Sequence, residues 1–186
     1  MRYNKDMEKT TKKLLKGKEI DFCALTQEIV HNDYMIVAIH DKKQVGYCNF
    51  MLINGTCRLN RIAVTDEKYL GSGVGNFMFR AMENIAYRNN AKYITAIFIP
   101  RGYDNAWQIT EEFYKKQGMV NDYGEQYYCD RDEISKHVKA IDEQYDIPVV
   151  EDNNLYKKAM DYNYSTYDIF SSNHRDKQSD SPSMDM

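Results

Sequence analysis

Nowhere in these 186 residues do apolar side chains run for anything near the ~18 positions that a membrane-spanning helix needs. The amino terminus likewise lacks an apolar stretch long enough for a secretory signal. The expectation is a soluble, cytoplasmic protein with no membrane partner. Cysteine is sparse, and Cys23, Cys48, Cys57 and Cys129 stand apart, with no C-x-x-C pair and no histidine cluster beside them. That scatter argues against a zinc site or a disulfide framework, so reduced thiols and no bound metal are expected. A basic excess is missing too. At a net charge of −3 the chain has no general attraction to nucleic acid. Internal repeats are absent.

What is present is enough apolar matter, 42% of the chain, to bury a core without staples. The length suits one domain with an appendage. Charge is unevenly spread. Residues 1–18 carry seven basic side chains against only Asp6 and Glu8, so the remainder is more acidic than the whole. A basic helix on an acidic body leaves an RNA or other anionic contact open, although such runs also serve as plain solvated faces.

Along the chain, residues 6–16 contain helix formers up to Gly17. In residues 19–31, Ile20, Cys23, Ala24 and Ile29 approach a 3.6-residue spacing, which predicts a second helix. Residues 34–40, 44–53 and 56–64 read as a three-strand meander. Asn54-Gly55 supplies a type I′ turn between the last two. A helix follows from about Gly75 to Asn89, with Val74, Phe77, Met78, Ala81, Met82, Ile85 and Ala86 along one face. Residues 93–99 form an all-apolar strand, expected to be covered on both faces. Asn105 caps the next helix with Gln108 three positions on, and Gly118 ends it. Strands follow at 119–123 and 126–132, then a helical stretch at 132–145. From Ser171 the chain is polar and expected to be disordered. This order predicts an α/β (α+β) fold, a mixed central sheet with helices on both faces.

The segment Leu70-Gly71-Ser72-Gly73-Val74-Gly75 joins a strand to an amphipathic helix. Glycines allow the backbone to turn its N–H groups inward, and the helix behind adds its positive end, which together make a receptor for phosphate oxygens. The same string also suits a tight turn with no ligand. Two familiar phosphate loops are excluded: no G-K-[ST] ending exists, and the spacing is not G-x-G-x-x-G.

The loop does resemble that of the GNAT acetyltransferases, written R/Q-x-x-G-x-G/A after a strand ending in an apolar triplet. Here the triplet is Ile62-Ala63-Val64, and Leu70 stands where the family has Arg or Gln. A second segment, Phe113-Tyr114-Lys115-Lys116-Gln117-Gly118-Met119, is similar to the F-Y-x-K-x-G-F signature that closes the GNAT core. The two matches span roughly residues 20–131. The resemblance implies a GNAT acyl-CoA N-acyltransferase fold over 1–131, with a helical extension at 132–170 and a tail at 171–186. It implies acetyl-CoA as co-substrate, held by Ile62, Ala63, Val64, Leu70, Gly71, Ser72, Gly73, Val74, Gly75 and Asn76, with Asn105 replacing an asparagine whose register falls on Trp107. It also implies that Tyr114 is the general acid, since a phenol stays protonated at neutral pH and can donate to a departing thiolate.

The activity implied is acetyl transfer to a primary amine, either a small cationic amine or a peptide amine. Two alternatives stand beside it: a toxin-like GNAT acting on aminoacyl-tRNA, and an acyl-CoA-binding or interaction protein without catalysis. A homodimer is compatible with any of them. No general base is legible, because the strand at 56–64 has Arg58, Asn60 and Arg61 but no carboxylate. Asp66, Glu67, His31 and His40 are candidates by location alone.

Overall fold

Three hairpins with two-residue turns set the architecture. In a computed structural model that describes residues 10–97, 106–123, 126–141 and 144–161, the first strands are β1 (Thr11–Leu15), β2 (Lys18–Thr26), β3 (Asp33–His40), β4 (Lys43–Ile53) and β5 (Thr56–Val64). The turns Lys16-Gly17, Asp41-Lys42 and Asn54-Gly55 all have positive φ at both central residues, the backbone of type I′ turns that matches the twist of the flanking strands. Then come α1 (Val74–Arg88), β6 (Tyr93–Ile97), α2 (Ala106–Lys116), β7 (Val120–Tyr123), β8 (Gln126–Asp130), α3 (Arg131–Ile141), β9 (Val149–Glu151) and a helix, α4, over 153–161.

The strands form one mixed sheet in the order β1-β2-β3-β4-β5-β6-β8-β7. β5 and β6 run parallel, and β9 pairs in parallel with β2 beside β1. On one face α1 packs over β3, β4 and β5, and its seven residues expected to face the core are all buried. On the other face Tyr156 and Ala159 of α4 cover Cys23, Leu25, Met35, Val37 and Ile39. Helices thus lie on both faces.

The two amino-terminal helices are a correction. Thr11–Leu15 and Lys18–Thr26 are strands, while residues 6–9 lie outside the described part. Gly17 does not break a helix; it completes a hairpin turn. Ile20, Phe22 and Ala24 reach the α1 side at a period of two, whereas Cys23 and Leu25 reach the α4 side. Burial on both faces erases the polar alternation of a surface strand. A second correction concerns β6. Ile94 and Ala96 are buried, but Tyr93 and Ile97 are 48% and 42% exposed, so one face only is packed. Residues 98 and 99, Asn105 and the expected disordered tail lie outside the described residues.

All four cysteines are free and buried, and burial pushes the thiols of Cys23 and Cys129 up to about 12, so they stay protonated. Gly46 marks where α1 crosses β4. A Cβ there would stand 3.0 Å from Met78 Cε, 3.1 Å from the Ala63 carbonyl oxygen and 3.2 Å from Val74 Cγ1. Gly46→Ala is expected to cost about 1–3 kcal/mol by overpacking against a backbone atom that cannot step aside, read as a lower denaturation midpoint in urea.

Candidate functional site

The connection from β5 to α1 is a sequence of short turns. Asp66 caps a single 3₁₀ turn at Glu67–Tyr69, accepting through its carboxylate from the Lys68 N–H, and the chain then swings through Leu70, Gly71, Ser72 and Gly73 into α1. Gly71 and Gly73 have φ of 66° and 98°, conformations that L side chains resist. Ser72 is fastened from within: its N–H and hydroxyl both donate to the Tyr69 carbonyl, at 3.1 and 2.6 Å. The Leu70 N–H donates to Glu67 O, and its side chain is 59% exposed.

What remains is a run of backbone donors. The first amide bonded within the helix is Phe77, to Gly73 O, and Gly73 offers no side-chain cap. Among the described residues the N–H groups of Gly71, Gly73, Val74, Gly75 and Asn76 therefore have no internal partner. No acidic side chain occupies the first turn of α1. Unpaired amides at a helix start, with no carboxylate competing for them, attract an anion.

The β1–β2 hairpin brings cations to this place. Lys16 Nζ lies 3.8 Å from where a Cβ on Gly71 would stand, and Leu15 Cδ2 stands 3.9 Å from the same point on Gly73. Lys18 Nζ donates to Lys68 O at 3.1 Å and sits 4.1 Å from the centroid of the Tyr69 ring. The sequence puts this charge on a basic amino-terminal helix, whereas the structure puts it on a hairpin. The signal that locates it is Lys16-Gly17 itself, a two-residue turn between strands.

Beside the cradle, β5 and β6 part company. Their pairing ends at Leu59 opposite Ala96, while β5 runs on to Val64. The cause lies in the register with β4, where Asn49 faces Arg61 and Phe50 faces Leu59, leaving Asn60 as an extra residue. Such a bulge bends its strand. The Thr65 N–H donates to Val45 O across β4, so by alternation the main-chain groups of Ala63 turn toward β4 and those of Ile62 and Val64 turn away. Among the described residues no strand pairs with Asn60–Val64 on that open side.

Tyr114 stands at this parting. It is 5% exposed, with the ring of Tyr127, a residue opposite Ala96, at 5.1 Å. Burial first, then the neighbouring Cys48 and Tyr127, raises its phenol well above the ordinary range, and Cys48 is itself the partner of Ile62 on β4. One helical step away, Phe113 packs edge-on to Phe79 and lies 3.5 Å from a Cβ on Gly75. Gln117 Nε2 donates to Asn76 Oδ1 at 2.9 Å, tying α2 to the first turn of α1. Gly118, with φ of 79°, ends α2 as expected.

The bulge carries a polar cluster onto the α4 side. Asn60 Nδ2 donates to Asn49 Oδ1, and Asn49 Nδ2 lies within reach of Asp33 Oδ1, Tyr34 O and Tyr156 Oη. The candidate bases are dispersed. His31 pairs with Glu151 at 2.6 Å at the far end of the sheet. His40 Nδ1 is 2.6 Å from Glu19 O. At Asp66 burial alone would raise the carboxyl, but the ammonium and N–H of Lys68, with the charge of Lys18, hold it below the usual range, which makes it a poor proton acceptor. No three His, Cys, Asp or Glu side chains gather as a metal site among the described residues, and no helix there is long and apolar enough to cross a membrane.

No protein-family model matches the chain, and no curated protein matches it in sequence. Solved structures do. A cAMP-binding acyltransferase from Mycobacterium smegmatis superposes at a TM-score of 0.51 and 11% identity, over 71% of this chain and 56% of that one. An acetyltransferase of the GNAT family from Staphylococcus aureus Mu50 gives 0.46 and 17%, over 55% of this chain and 73% of that one. A PaiA N-acetyltransferase from Thermoplasma acidophilum, solved with coenzyme A, gives 0.43 and 16%, over 52% and 58%. At these identities the likeness establishes the fold alone: the chain has the GNAT acyltransferase fold.

Proposed function

We propose that this chain is an acetyl-CoA-dependent N-acetyltransferase whose acceptor is a primary amine, either a small cationic amine or a peptide amine. One observation carries the reading: among the described residues, the unpartnered amides of Gly71, Gly73, Val74, Gly75 and Asn76 open beside a length of β5 that has no neighbour on one side. CoA has both chemistries to match, a pyrophosphate for the amides and an amide-bearing arm that can add to β5 like another strand.

When bound, acetyl-CoA supplies an acyl group activated as a thioester. The chain's own residues do the rest. The cradle amides hold phosphate oxygens, and Lys16 adds the positive charge that Leu70 does not provide. The main-chain groups of Ile62 and Val64 would orient the arm, and an N–H on this stretch would polarise the acyl carbonyl. Tyr114 Oη holds a proton for the departing sulfur, a task suited to a phenol kept protonated by burial. Lys16 and Lys18 of the hairpin lie at the loop, which favours their use on CoA phosphates over contact with aminoacyl-tRNA.

Two measurements test this. CoA titrated into the protein in a calorimeter should bind, at an affinity in the roughly 1 μM to 1 mM range of enzyme substrates. Thiol release from acetyl-CoA should then rise when an amine from a mixed panel is added. Absence of CoA binding removes the cofactor. Tight binding with no release on any amine leaves the non-catalytic acyl-CoA protein as the better reading.

A further inference from the structure

Gln117 follows the last residue of α2 and is 2% exposed. A side-chain amide so deeply buried ordinarily satisfies both its nitrogen and its oxygen. Gln117 satisfies one of them. Its Nε2 donates to Asn76 Oδ1 at 2.9 Å, while Oε1 is covered and has no partner among the described residues. Leaving a buried acceptor unmet is costly, and an apolar side chain of similar shape would avoid the cost. The chain bears it for a single bond, and local rules broken in this way cluster at functional positions.

The two ends of that bond belong to the two halves of the site. Asn76 contributes its main-chain N–H to the cradle, and its side chain reaches α2. Gln117 is fixed in turn to the residues before it, since its N–H donates to the carbonyls of Phe113 and Tyr114 at 3.1 and 3.0 Å. Phe113 also touches α1, edge-on to Phe79 and 3.5 Å from a Cβ on Gly75. Apolar contact of that kind is non-directional and lets one helix slide or turn on another. A hydrogen bond has a preferred length and angle, so Gln117 sets the register of α2 against the first turn of α1. Tyr114 lies three residues before Gln117, about one helical turn, and moves with it. Resting on the acetyl-CoA reading above, we infer that Gln117 is a positioning residue. Through Asn76 it couples the phosphate cradle to Tyr114, so that the phenol stands at a fixed place relative to the sulfur of a thioester held there.

The test compares wild type, Gln117→Met, Tyr114→Phe and the double variant, by calorimetry with CoA and by turnover of acetyl-CoA with the mixed amine panel. Methionine keeps the length of glutamine and loses the bond. In Gln117→Met turnover should fall about ten- to a hundredfold, the scale of a 1 Å misplacement, while CoA affinity stays within about twofold. In the double variant turnover should be no lower than in Tyr114→Phe alone, because Gln117 acts through the phenol that it places. In wild-type protein labelled with ¹⁵N, CoA should shift the Gln117 side-chain amide signals, a readout that needs neither a variant nor an acceptor. Losses that multiply in the double variant would overturn the assignment. Unchanged turnover in Gln117→Met would do the same, as would a CoA affinity that falls as far as the turnover. CoA binding with the Gln117 signals unmoved would overturn the coupling and leave the proposed function standing. A wild-type protein that binds CoA but acetylates no amine would overturn that function and this inference together.

Discussion

A Gly73→Val variant is expected to lose CoA binding by more than a hundredfold while remaining folded. Gly73 sits at φ 98°, ψ −4°, immediately before the first residue of α1. Space is not the difficulty, since the nearest heavy atom to an added Cβ is Leu15 Cδ2 at 3.9 Å. The difficulty is the backbone. A β-branched residue held at that φ is strained by roughly 1–3 kcal/mol, and the loop can escape only by rotating to negative φ. That rotation turns the neighbouring amides out of the cradle. Loss of two hydrogen bonds to a charged phosphate, at roughly 1.5–3 kcal/mol each, accounts for the size of the effect. Gly73→Asn, whose side chain tolerates this region, should fall between the two. Calorimetry with CoA alongside a thermal melt separates lost binding from lost folding; normal affinity in the valine variant would mean the phosphates sit elsewhere.

Removing one oxygen at Tyr114 should have a comparably large effect on rate and almost none on binding. Tyr114→Phe keeps the ring against Tyr127 and Phe113 and deletes the proton donor. General acid catalysis of this kind is worth roughly 100- to 10,000-fold in turnover. Because burial raises the phenol, it remains protonated through neutral and mildly alkaline pH, and no decline in turnover below about pH 10 should trace to it. The linkage has a matching sign. An unfolded tyrosine ionises near pH 10, so the stability associated with burying Tyr114, and likewise Tyr156, is present below that pH and declines above it. Turnover equal to wild type in Tyr114→Phe would give the proton's delivery to another group.

The parts of this molecule that sequence reveals are those where one physical demand dominates. α1 is legible because a single face is buried along its whole length, and Asn54-Gly55 because few residue pairs accept two positive φ values. β2 is hidden because Phe22, Cys23, Ala24 and Leu25 are buried in succession, so that Ile20, Cys23 and Ala24 can be lined up at a helical spacing. The glycine loop announces a turn. It does not announce that Leu70 and Ser72 consume their amides internally while Gly71 and Gly73 do not, because that distinction arises from the 3₁₀ turn at Glu67–Tyr69. Lys16 is legible only through the Lys16-Gly17 turn; that this hairpin sets its ammonium beside Gly71 is a tertiary fact with no local signature.

The pairing of β9 with β2 sets a constraint in time. Strand β2 lies near the start of the chain, yet its carboxy-terminal half acquires its outer neighbour only through Ala24 opposite Val149 and Thr26 opposite Glu151. Contacts between segments this far apart in sequence are slow to form. As the chain emerges during synthesis, that length of β2 is a bare edge, open to pairing with any other exposed strand. The nascent protein is therefore most vulnerable to aggregation in the interval between completion of the meander and arrival of residues 149–151.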